Sequence, residues 1–159
     1  MKKLIYSILF LAVTSLTFQS CKSDDDNNSI PNLSNQVSID GTVYGLDGTG
    51  FLESYGLNTD GSFDWDVELD GTDVDIYFDL NTNSENGLVA GTYTYSPDRA
   101  EFTYVDSNIL LSDGTNYSPQ EGTVIIALSG DTTAITFNLT AVDGTVIQGE
   151  WSGTLTVIN

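Results

Sequence analysis

The chain has no histidine, one cysteine, three prolines and only four lysines and arginines among 159 residues. Each shortage excludes something. Without histidine there is no Ser-His-Asp or Cys-His catalytic pair and no histidine-ligated zinc or copper. One cysteine cannot form an intrachain disulfide. Four cations face 23 acids, for a formal net charge of -19. Such a surface repels nucleic acid and anionic head groups, so nucleic acid is excluded as a partner. It suits cations, basic partners or neutral ligands, and it also keeps an exported protein soluble. No stretch sustains the 3.6-residue periodicity of an amphipathic helix.

What is present begins with Met1-Lys2-Lys3 and an apolar run from Leu4 to Leu16. A cationic start followed by a run too short to span a bilayer reads as a signal peptide over residues 1–20. Its removal takes two lysines and no acid, so the net charge of -19 becomes -21. Lys22 and Arg99 are then the only side-chain cations. Residues 21–35 are polar and charged, with little to bury, and read as a flexible acidic tether. Residues 36–159 hold one core and one domain.

Two short motifs carry a resemblance. Phe18-Gln19-Ser20-Cys21 resembles the lipobox of bacterial lipoproteins, although that family favours Leu at the place of Phe18 and a small residue at that of Gln19. The resemblance implies a diacylglyceryl group on the Cys21 thiol and cleavage just before Cys21. Two or more acyl chains on one residue hold a protein stably to a membrane. Ser23-Asp24-Asp25-Asp26 resembles the acidic export signal that follows the cysteine in lipoproteins of the Bacteroidota. It implies an outer-membrane protein displayed at the cell surface, with the inner leaflet of the outer membrane as the alternative.

From Gln36 onward, short alternating apolar runs are separated by glycine-containing turns. Asp-Gly recurs at Asp40-Gly41, Asp47-Gly48, Asp60-Gly61, Asp70-Gly71, Asp113-Gly114 and Asp143-Gly144, and this dipeptide between alternating runs is a hairpin signal. A two-residue Asp70-Gly71 turn would set Val67 opposite Val74, Trp65 opposite Ile76 and Phe63 opposite Phe78, with both apolar sets on one face. A Gly130-Asp131 turn sets Ile126 opposite Ile135 and Val124 opposite Phe137. A three-residue Val142-Asp143-Gly144 loop then sets Leu139 opposite Ile147 and Ile135 opposite Trp151. Val37–Tyr44 and Phe51–Leu57 form a further hairpin. Leu88–Tyr95 and Glu101–Val105 add two more strands. The expected fold is an antiparallel β-sandwich of about eight or nine strands, with a lipocalin-like β-barrel as the alternative.

The candidate site is the outer face of the Phe63–Leu80 hairpin. Asp64, Asp66 and Glu68 point outward on one strand and Asp73, Asp75 and Asp79 on the next. The expected register puts Asp66 opposite Asp75 and Glu68 opposite Asp73. Like charges in direct opposition destabilise a sheet unless a cation offsets them, and carboxylate oxygens suit calcium. A solvated acidic face, with no bound cofactor, is the competing reading. Tyr77 points outward among the acids and is the expected ligand contact. Tyr44, Tyr55, Tyr93, Tyr95, Tyr104 and Tyr117 are spread over other segments. Trp65 and Trp151 fall on inferred core faces and read as packing residues.

The short chain and the missing histidine argue against an enzyme. The functional expectation is a lipid-anchored, surface-displayed binding or adhesion module for a glycan or protein. The alternatives are an accessory or inhibitory lipoprotein acting on a basic partner, and a carrier of a small apolar ligand if the fold is a hollow barrel.

Overall fold

A computed structural model describes residues 33–158. The expected signal peptide and the expected tether up to residue 32, with Cys21 and the Ser23–Asp26 motif, lie outside the described residues. The domain is all-β, with ten strands: β1 (Gln36–Ile39), β2 (Thr42–Leu57), β3 (Phe63–Gly71), β4 (Val74–Thr82), β5 (Gly91–Tyr95), β6 (Thr103–Leu111), β7 (Asn116–Tyr117), β8 (Pro119–Ser129), β9 (Thr132–Ala141) and β10 (Val146–Ile158).

The strands form a closed barrel rather than two stacked sheets. The order runs β4-β3-β2-β1-β10-β9-β8-β5-β6, and a direct β4–β6 pairing closes the circle. The short β7 lies outside it, paired to β6. Of the two expected all-β closures, the barrel is the one adopted, and closure removes the exposed strand edges that a sandwich must protect. Two seams are parallel, a departure from the all-antiparallel expectation. β5 meets β6 only at Thr94↔Thr103 and Tyr95↔Tyr104. β1 is short, and where it ends β2 and β10 pair directly from Thr49↔Thr154 to Glu53↔Ile158. The backbones crowd near this seam: a Cβ on Gly153 would overlap the Gly48 carbonyl oxygen.

The barrel interior is filled. Alternation sends Trp65, Val67 and Leu69 inward from β3, and Val74, Ile76, Phe78 and Leu80 from β4. The opposite wall contributes Val124, Ile126, Ile135, Phe137, Leu139, Ile147 and Trp151. Phe78 and Phe137 meet edge-on across the barrel, with ring centroids 5.4 Å apart. The buried Tyr93 hydroxyl donates to the Val89 carbonyl at 2.8 Å, and that of Tyr104 to the Glu121 carbonyl at 3.0 Å. Both tryptophans are core residues, as expected.

The β8–β9–β10 meander has the expected register: Ile126↔Ile135, Val124↔Phe137, Leu139↔Ile147 and Ile135↔Trp151. The β3–β4 hairpin does not. It turns at Thr72-Asp73, so Val67 faces Phe78, Trp65 faces Leu80 and Phe63 faces Thr82. The apolar sets still share one face, because the pairing is displaced by an even number of residues. Asp47-Gly48 also fails to turn the chain and lies within β2, where the β2–β3 register shifts between Leu46 and Gly50. The expected break between Tyr44 and Phe51 is therefore one continuous strand.

Candidate functional site: an acidic outer wall

The corrected register rearranges the acidic face. Asp66 is opposite Asp79, not Asp75, and Glu68 is opposite Tyr77, not Asp73. On the other side of β3, Asp66 pairs with Glu53 of β2. On the other side of β4, Asp79 pairs with Asp106 of β6. Four carboxylates, Glu53, Asp66, Asp79 and Asp106, therefore form one row across four adjacent strands. Such a row is electrostatically costly, and two devices relieve it.

The first is Arg99, in the loop between β5 and β6. Its Nη1 lies 2.8 Å from Asp64 Oδ2. Nη1 and Nη2 also donate to the two Asp79 carboxylate oxygens at 2.8 and 2.7 Å. Nη1 further donates to Asn81 Oδ1 at 3.1 Å. Burial opposes the Arg99 charge, but the Asp79 and Asp64 carboxylates outweigh it and raise the guanidinium pKa. Asp64 and Asp79 are thus buried, where an outward, solvated position was expected. The cation that offsets the opposed acids belongs to the chain itself, and it is the only lysine or arginine among the described residues.

The second device is proton uptake. Burial, reinforced by the carboxylates of Asp79, Asp64 and Glu53, pushes the Asp66 pKa up to about 7, against the Tyr77 hydrogen bond. Burial and the Asp64 carboxylate likewise raise Asp79 to about 6, against Arg99. Tyr77 is half-buried rather than fully outward, and its hydroxyl donates to Asp66 Oδ2 at 2.8 Å. Burial and that carboxylate push the Tyr77 pKa well above its ordinary value.

Asp64, Asp66 and Asp79 each offer a carboxylate oxygen within 4.8 Å of the others. This is the part of the expected six-acid set that the fold brings together. Two of the three are already committed to Arg99, and Asn81 Oδ1 is shared between Arg99 and the Asn58 amide. Calcium favours six to eight oxygen ligands, so the triad as it stands is better described as an ion-paired cluster. Asp73 sits in the β3–β4 turn and accepts a hydrogen bond from Ser112 Oγ at 3.2 Å.

Glu68 and Asp75 go elsewhere, into an open groove of about 530 Å³ on the outer wall of β3, β4 and β6. Asp70, Asp106, Asn108, Leu110, Ile76 and Tyr77 complete its lining. Asp70 and Asp75 face each other across the strands. Tyr77 belongs to both features: it lines the groove, and its hydroxyl donates to Asp66. Sequence reasoning did not find Glu53, Asp70, Asp106, Asn108 or Arg99. Outward alternation on β6 marks Asp106 and Asn108 as surface residues, but nothing local places β6 beside β4. No family model matches the chain, and no similar protein was found among curated sequences or solved structures.

Proposed function

We propose that this chain is a lipid-anchored, extracytoplasmic binding module, displayed at the cell surface, that captures a basic segment of a partner protein on its acidic outer wall. One observation carries the reading: a groove with four carboxylates, Glu68, Asp70, Asp75 and Asp106, in a domain whose only described cation is committed elsewhere. A lysine or arginine side chain would find carboxylate partners there. Its aliphatic stem would lie along the exposed Leu110 and its charge near Tyr77. The field of a strongly acidic domain would steer such a partner inward.

The filled interior argues against the carrier reading, since large side chains meet across the barrel where a ligand would lie. Glycan stacking on tryptophan loses support because both tryptophans are buried. The anchor at Cys21 remains a reading of the lipobox.

The test is titration of the protein with oligolysine and oligoarginine peptides and with a neutral peptide of equal length. Cationic peptides should bind, with affinity falling as salt rises. The paired substitutions Asp70→Asn and Asp75→Asn should weaken binding about tenfold, the equivalent of about 1.4 kcal/mol. Equal binding of the neutral peptide, or indifference to the substitutions, would remove the groove from consideration. A calcium-selective rise in melting temperature would instead assign the Asp64, Asp66 and Asp79 triad as an ion site. Cys21→Ser should move the protein from the membrane fraction to the soluble fraction.

A further inference from the structure

Asp66 stands at the middle of the carboxylate row and one hydrogen bond away from the groove. Glu53 faces it from β2, and Asp79 and Tyr77 face it from β4. Asp64 and Glu68 flank it on its own strand, and Asp106 follows Asp79 on β6. From the loop between β5 and β6, Arg99 pairs with Asp64 and Asp79. Tyr55, the exposed neighbour on β2, donates its hydroxyl to Glu53 at 3.0 Å. Asp66 is therefore the member of the row with carboxylates on both sides and a neutral phenol as its hydrogen-bond donor.

That geometry has a consequence for any cation bound next door. A positive charge beside the Tyr77 ring favours the ionised form of Asp66, so binding and deprotonation assist each other. We infer that cation capture in the groove is coupled to release of a proton from the Asp66–Tyr77 pair, so that the module holds its partner in neutral or alkaline surroundings and lets it go as they acidify. The proton leaves the Asp66 carboxyl for solvent, and no other bond changes. Burial and the surrounding carboxylates hold the Asp66 pKa at about 7, within the range where such coupling is felt. The inference rests on the capture reading above and adds its regulation.

Two measurements on the full-length protein in detergent separate the inference from the reading beneath it. The first needs no ligand. Carbon-13 NMR of the aspartate carboxyls, assigned by loss of one resonance in Asp66→Asn, should show a midpoint near neutrality. A midpoint in the ordinary carboxylate range near pH 4 overturns the coupling and leaves capture standing. The second is oligolysine affinity from pH 8 to pH 5.5. It should fall by about tenfold or more across that range, since one coupled proton changes affinity by up to about tenfold per pH unit. Asp66→Asn should bind weakly and lose most of the slope, keeping only a small fall near pH 6 where Asp79 takes up a proton, while Asp70→Asn should bind weakly but keep the wild-type slope. An unchanged slope in Asp66→Asn overturns the coupling. Absence of oligolysine binding at every pH overturns the capture reading and the coupling with it.

Discussion

The two walls of the barrel solve the same packing problem and differ on their outer faces. On β8, β9, β10 and β1, one cross-strand row reads Thr123, Asn138, Gln148 and Ser38. On β2, β3, β4 and β6 a corresponding row reads Glu53, Asp66, Asp79 and Asp106. The neutral row carries no charge to offset, and within it Gln148 Nε2 donates to Asn138 Oδ1 at 3.4 Å. The acidic row gathers like charges, which Arg99 and the raised pKa values of Asp66 and Asp79 relieve. The fold can build a wall without that cost, so the acidic wall is the one whose composition asks for a reason other than stability.

The largest effect should fall on both walls equally. Phe78→Ala removes the ring that meets Phe137 across the interior, and truncating a buried Phe costs about 3–5 kcal/mol. Urea denaturation should show it at any pH. An effect confined to one pH would mean that the barrel centre is coupled to the acidic wall.

Next comes Arg99→Met, which concerns the acidic wall alone. It leaves Asp64 and Asp79 buried without their cation. Breaking a fully buried pair costs about 3–5 kcal/mol, and the 36% exposure of the Arg99 side chain reduces this to about 2 kcal/mol. The loss should be greatest at pH 8 and shrink toward pH 5 as Asp79 takes up a proton. On the neutral wall, Asn138→Ala should cost about 1 kcal/mol or less, with no pH dependence.

The wild-type pH profile follows from the sign of the shifts. Asp66 near 7 and Asp79 near 6 both lie above the ordinary 3.8, so the native state binds protons more tightly than the unfolded chain. The stability this provides is whole below about pH 4 and is lost as pH rises through 6 and 7. The melting temperature should therefore fall by several degrees between pH 5 and pH 8 and then level off. Asp66→Asn should melt higher than wild type at pH 8 and alike at pH 5. A melting temperature that instead rises with pH would mean that ion pairing with Arg99 dominates the wall. The smallest effect is that of Asp70→Asn or Asp75→Asn on stability, within about 0.5 kcal/mol, measured by the same denaturation series.

The hairpins on the two walls also show what can be read locally. Gly130 lies at the expected turn with a φ of 58°, and the register built on it is correct. Gly71 also adjoins an aspartate, as the residue after Asp70 rather than before it, yet it sits inside β3, and a Cβ there would overlap the Gly45 carbonyl oxygen. Its glycine serves close approach between β2 and β3 rather than a turn. A left-handed turn favours glycine and a close backbone approach demands it, so a glycine beside an aspartate does not by itself separate the two uses.

The all-β class, the inward sets of β3, β4, β8, β9 and β10, the core position of both tryptophans and the acidity of the β3–β4 outer face were determined by the sequence itself. These depend on a two-residue alternation and on turn chemistry, which act between neighbours in the chain. Closure into a barrel, the meeting of Asp106 with the hairpin acids, the groove and the Arg99 ion pair were decided only by tertiary structure. They rest on pairings between β2 and β10 and between β4 and β6, strands distant in sequence that closure of the whole sheet brings side by side.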